Sequence, residues 1–206
     1  MANRDAPMGL RPAMHLTGGT IRVQEYHIAD QLANNIFYGD PVERVEAFSG
    51  REARDIDASD TPASEVPFVG VFAGCTYQAT NGDMVYSRYW PSGTATKGAV
   101  GATAYVWDDP FIVFSVQGDG TGLATDVGLI ADLLYTEGDT ATGMSKVELH
   151  TSDIGAGGSG ANVYIYDYVR SPENSATGAN TQYLVLINEH AYRTAGAASY
   201  DELATS

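Results

Sequence analysis

The chain has 206 residues, 44% of them hydrophobic and 10% aromatic against 18% charged. That length holds one domain, or two small ones, with a core that hides about 70% of the unfolded chain's surface, and the aromatic content excludes a disordered chain. Eleven Lys and Arg against 26 Asp and Glu leave a formal charge of −15, which argues against nucleic acid and anionic membrane as partners, because phosphate binding needs Lys and Arg to displace counterions.

Residues 1–20 read as an extended N-terminal arm. Pro7, Gly9, Pro12, Gly18 and Gly19 interrupt any helix, and no alternation lasts long enough for a strand. Met1–Pro7 lacks the apolar run of a signal peptide, so none is expected. Within the first thirty residues Arg4, Arg11 and Arg22 cancel Asp5, Glu25 and Asp30, so the whole −15 falls on residues 31–206. A single β domain is expected over residues 21–193, and a flexible tail over 194–206.

In that domain Ile21–Ile28 alternates as a strand, Asn34–Tyr38 leads into the turn Gly39-Asp40-Pro41, and Val42–Phe48 follows in loose register. Gly50–Pro67 is polar and acidic and reads as a long surface loop. Phe68–Tyr77 is β-branched and aromatic, and Asn81-Gly82 suits a type I′ turn that returns Met84–Trp90 as the second arm of a hairpin. Gly101–Trp107 and Phe111–Gln117 read as a further pair joined by Asp108-Asp109-Pro110. Leu123–Tyr135 reads as a short helix or turn followed by a strand, since Gly128 interrupts the helical spacing of Leu123, Val127, Ile130 and Leu134. Met144–His150, Asn162–Arg170 and Gln182–His190 complete the strands. The fold class is mainly β: an antiparallel barrel or sandwich with an N-terminal arm and at most one or two short helices. No run of 18 apolar residues is present to span a bilayer.

Chemistry is sparse. Cys75 stands alone, which excludes an internal disulfide and a multi-Cys zinc site, and its apolar neighbours predict a buried thiol. His15, His27, His150 and His190 show no metal-ligand spacing. Gly155–Gly160 resembles a phosphate cradle or a nucleophile elbow, but a strand rather than a helix follows it and it has no Lys, so it reads as a hairpin connection. Gly118-Asp119-Gly120 through Asp126 lacks the acidic ladder and distal Glu of a calcium loop. Glu189 and His190 point to opposite faces of a strand. No cofactor, metal or catalytic residue is expected, and the chain does not read as an enzyme.

Several phrases carry a resemblance: Asn3–Pro12, Gly39–Val42, Val69–Tyr77, Tyr89–Thr94, Asp126–Gly128, Gly143–Ser145, Arg170–Asn174 and Ile187–His190. In this order they resemble small structural proteins of tailed-bacteriophage heads, the capsid decoration or cement proteins. The resemblance implies a virion protein on the capsid exterior, made in the host bacterial cytoplasm, whose partners are the major capsid protein and neighbouring copies of itself, as a homotrimer. A neutral arm of twenty residues, reaching roughly 65 Å when extended, is suited to pair with a neighbour's sheet edge. The expected interface residues are Arg4, Met8, Leu10, Arg11 and Met14. The alternative is a carbohydrate- or ligand-binding β domain of a phage tail or head fibre, presenting Tyr89 and Trp90.

Overall fold

Alternation of period two is cleanest in residues 102–107, where Ala102, Ala104 and Val106 are buried and Thr103, Tyr105 and Trp107 are half-exposed. In the computed structural model this segment is a central strand. The structure describes residues 3–44, 56–58, 67–155, 161–175, 177–188 and 190–193, the second of these by backbone alone. Its strands are β1 Arg11–His15, β2 Gln24–Ile28, β3 Pro41–Arg44, β4 Ile56–Ala58, β5 Phe68–Gln78, β6 Met84–Ser87, β7 Ala102–Trp107, β8 Ile112–Gln117, β9 Thr121–Gly122, β10 Ile130–Ala131, β11 Leu133–Leu134, β12 Glu148–Leu149, β13 Val163–Tyr168, β14 Gly178–Ala179 and β15 Gln182–Ile187. Helix among the described residues is confined to three 3-10 turns, Lys97–Ala99, Ala124–Asp126 and Thr151–Asp153. The fold is mainly β, as the turn spacing predicts.

Two antiparallel sheets dominate. The first has the order β1-β8-β15-β13-β10; the second has the order β2-β7-β5-β3-β4, with β6 added to β5. The eleven residues of β5 shift register against β7 between Phe72 and Gly74, which bends the strand and lets it serve two cores. Phe68 and Val71 meet Phe114, Val163, Ile165 and Val185 of the first sheet. Phe72 and Cys75 instead join Ile28, Ala104 and Val106, roofed by Ile36 and Trp90 from the loops. Each buried Leu, Ile, Val or Phe contributes about 1.5–3 kcal/mol relative to exposure.

Several segments depart from the sequence reading. Residues 11–15 form a strand after all, paired with β8. The Pro12 nitrogen cannot join a ladder, but β1 lies at the edge of its sheet, where proline is tolerated. The hairpin at Asn81-Gly82 forms, but not through a type I′ turn. Gly82 alone takes positive φ (97°), its N–H donates to Ala79 O at 2.8 Å, and Ala79 N–H donates to Asp83 O at 2.9 Å. This is a three-residue loop whose glycine takes the left-handed position. Asp108-Asp109-Pro110 does not join hairpin partners: β7 belongs to the second sheet and β8 to the first, so this turn carries the chain between them. Met144–His150 contributes only Glu148 and Leu149 to a ladder, while Met144 makes isolated bridges to Tyr38 and Asp139. Ile56–Ala58, within the expected acidic loop, pairs with β3. The rest of that loop before Pro67, residues 156–160 and the tail from Thr194 lie outside the described residues.

Cys75 is 2% exposed, and burial pushes its thiol up to about 12. A polar thiol reagent at pH 8 is therefore expected to leave the native protein unlabelled and to label it stoichiometrically in denaturant. Rapid labelling of the native protein would contradict the placement of β5.

Candidate functional site

The residues expected to face a partner are held largely by the chain's own body. Asn3 Nδ2 donates to Ser175 O at 3.1 Å, and Ser175 N–H donates back to Asn3 Oδ1 at 2.7 Å. Ala6 N–H donates to Gln117 Oε1 at 3.0 Å, and Leu10 N–H donates to Gly39 O at 2.9 Å. Gly9 has φ of 69°, and a Cβ there would lie 2.5 Å from Ser145 Cβ and 2.6 Å from Gly39 O, so only glycine fits the slot. The extended segment finds its sheet edge within the same chain.

Leu10 is fully buried in the core between the sheets. It is corrected from a surface anchor to a core residue, because a leucine there gains more from the apolar side chains packed around it than from a solvent-facing contact. Met8 and Arg11 are half-buried, with the Arg11 Nε enclosed and without a hydrogen-bond partner among the described residues. Arg4 is exposed and Met14 is 36% exposed, so these two remain available. Met14 has exposed apolar company that the sequence does not indicate: Leu16 lies beside it, and Leu16 N–H donates to the carbonyl of exposed Phe111 at 2.9 Å.

A carbohydrate platform would need the rings of Tyr89 and Trp90 at the surface. Trp90 is fully buried, with its ring edge-on to Tyr77 at 5.3 Å. Tyr89 stacks on buried Phe37 at 5.5 Å. Enclosed in this way, Trp90 has no face to present to a sugar.

Titratable groups gather at the crossing between sheets. His15 Nε2 lies 3.0 Å from Asp109 Oδ2, while Asp109 Oδ1 accepts the Phe111 N–H at 2.8 Å. The Tyr26 hydroxyl donates to Asp108 Oδ2 at 2.9 Å and lies 2.6 Å from the Tyr192 hydroxyl. His190 is fully buried, and burial, with Arg193 nearby, lowers it to about 4. The imidazole is therefore neutral at pH 7. These contacts tie β1, β2 and the residues after β15 to a single turn.

A second polar group lies in the 3-10 turn Thr151–Asp153. His150 Nδ1 is 2.5 Å from Asp153 Oδ2, and Ser152 Oγ is 2.9 Å from His150 Nε2. The connectivity is that of a nucleophile–base–acid relay, and no motif in the sequence marks it. All three residues, however, sit on one turn with Ser152 exposed, and such local bonds are how Ser and Asp side chains close turns. Asp119 Oδ1 accepts both the N–H and the hydroxyl of Thr151, and Asp126 Oδ2 accepts the Tyr183 hydroxyl at 2.7 Å. The carboxylates of the glycine-aspartate loop are thus engaged with protein donors. Among the described residues no three His, Cys, Asp or Glu side chains are grouped to hold a metal ion.

One cleft of about 230 Å³ opens on the second sheet. Its lining includes the polar His27, Thr76 and Thr103, the apolar Met84 and Val100, and Lys97. No carboxylate of the described residues lines it, though Asp30 Oδ1 accepts from the lining Thr96 at 2.6 Å. No helix of the described residues is long and apolar enough to cross a membrane. No family model matches the chain, and no curated protein or solved structure matches it.

Proposed function

We propose that this chain is a structural protein of a tailed-phage head, binding the capsid exterior and stabilising the lattice of the major capsid protein, with neighbouring copies of itself as further partners. The observation that carries this reading is the ordered series of phrases from Asn3 to His190 that resembles the decoration proteins. Two physical features support it. A body of −15 is suited to the outside of a shell that encloses DNA. The polar side chains that resemble catalytic groups make local or sheet-joining bonds, as a protein built for rigidity requires.

In this reading the lattice contact is made by the surface of the docked segment, through Arg4, Met14, Leu16 and Phe111. Co-sedimentation with empty expanded capsids of its phage tests it. The wild-type chain is expected to pellet with capsids, and Met14→Asp combined with Phe111→Asp is expected to weaken attachment at least about 10-fold. Because three of the four groups are uncharged, attachment is expected to persist from about 0.05 to 0.5 M salt. Absence of the wild-type chain from the pellet overturns the reading. Loss in salt alone moves the contact to Arg4.

A further inference from the structure

Tyr86 (78%), Val100 (71%) and Met84 (55%) are among the most exposed large apolar side chains of the described residues. Met84 and Val100 wall the same cleft. Tyr86 lies two positions along β6 from Met84 and so projects from the same face. Strand β6 pairs with β5 on one side, Cys75 opposite Ser87 through Gln78 opposite Met84. On its other side no strand among the described residues pairs with it. Alternate N–H and C=O groups along that side therefore face outward.

Edges of this kind are usually blunted by Lys, Pro or a bulge. Met84-Val85-Tyr86-Ser87 has no charge and no proline, and its ladder with β5 runs in unbroken register. Charge indicates what covers it. Residues 68–107 contain a single carboxylate, Asp83, against Arg88 and Lys97, in a chain of net −15. Asp83 is itself engaged, accepting from Asn81 Nδ2 at 2.6 Å. Two copies of so acidic a chain repel over most approaches. The β6 edge, flanked by Asp83 and Arg88, is close to neutral, while the carboxylates of the same sheet lie away from it, Glu25 on β2 and Asp30 bonded to Thr96.

We infer that β6 is a self-association edge: two copies pair β6 to β6, antiparallel about a twofold axis, continuing the second sheet from one copy into the other. The outward backbone groups of each strand then find partners, and Met84 and Tyr86 of the two copies meet across the axis. A twofold contact uses the same patch on both copies, which the near-neutral face permits. The inference departs from the homotrimer that the resemblance implies, goes beyond the capsid reading, and needs only the purified chain.

Sedimentation of the full chain from about 1 to 200 µM tests it. A concentration-dependent dimer is expected. The double variant Met84→Lys, Tyr86→Lys is expected to weaken it at least about 10-fold, since like charges then oppose each other across the axis. Both side chains are exposed in the single copy, so the variant folds; its circular dichroism and melting temperature are to match the wild type. Leu123→Lys, equally exposed but elsewhere, is expected to leave the dimer intact. Amide exchange gives a second reading: those β6 amides that do not bond to β5 are to slow as concentration rises. A monomer throughout the range, a trimer, or a dimer that survives the double variant overturns the inference.

Discussion

Leu10→Ala is expected to lower unfolding stability by about 3 kcal/mol, within the range of about 2–5 kcal/mol typical of buried leucine truncations. Leu10 is fully enclosed among the residues between the two sheets, and the backbone on either side of it is fixed. Gly9 has no room for a Cβ, and Arg11–His15 is paired with β8. The cavity therefore cannot close by a shift of the segment. Urea unfolding followed by near-UV dichroism reads the effect as a lower midpoint with unchanged slope. Met14→Ala, at an exposed position of the same strand, is expected to change stability by less than about 0.5 kcal/mol. Deletion of residues 1–18 is expected to cost more than Leu10→Ala, because it also exposes the edge of β8. Equal urea midpoints for wild type and Leu10→Ala would show that the segment does not dock.

The second large effect is one of pH. Asp40 is fully buried in the turn after Phe37. Burial raises its carboxyl to about 6, against the opposing pull of the Ser145 hydroxyl and the Phe37 N–H, which donates to Oδ2 at 2.7 Å. The folded-state value lies above the unfolded value of 3.8. The native state therefore binds this proton more tightly, and the resulting stabilisation is fully present below about pH 4 and lost as pH rises through about 6. The difference between 3.8 and about 6 corresponds to about 2–3 kcal/mol. Asp40→Asn keeps an acceptor for Phe37 N–H and removes the buried charge. The variant is expected to melt higher than wild type at pH 8, with the difference closing as pH falls to 4. Melting curves measured in parallel at pH 4, 5, 6, 7 and 8 decide it. A constant difference across that range would mean that Asp40 does not titrate in the fold.

The β content is legible in the sequence because Phe68–Gln117 contains β-branched and aromatic runs separated by turn residues. Ala102–Trp107 alternates in sequence and in burial alike. Pairing between distant segments is not legible. Asp108-Asp109-Pro110 has the composition of a hairpin turn, and composition does not state whether the next strand returns beside the last or enters another sheet. Arg11–His15 escapes notice because Pro12 suppresses the strand signal, and only the edge position makes that proline harmless. Leu10 is one apolar residue among prolines and glycines; its burial is decided by a slot made of Gly39 and Ser145, far along the chain. At the candidate site Arg4 and Met14 are exposed, as a contact with a partner would need. Nothing local announces the burial of Leu10 and Trp90, or the pairing of exposed Met84 and Tyr86 on one face of an edge strand.

The order of strands in the two sheets also sets the order in which the molecule can come into being. The second sheet is assembled from one contiguous stretch, β2 to β7, and can close as soon as that stretch is available. The first cannot. Its strand β8 lies between β1 and β15, so its two neighbours come from opposite ends of the described chain. Until Gln182–Ile187 leaves the ribosome, Ile112, Phe114 and Val116 have a wall on one side only, and Leu10 has half a pocket. Joining such remote segments is slow, because the entropy of the intervening loop is lost before the contacts are gained. For that interval the nascent chain carries a finished sheet attached to an open apolar one, the kind of intermediate that aggregates or recruits chaperones. Yield of soluble protein should therefore depend on how quickly the last strand follows β13, more than on the final stability of the fold.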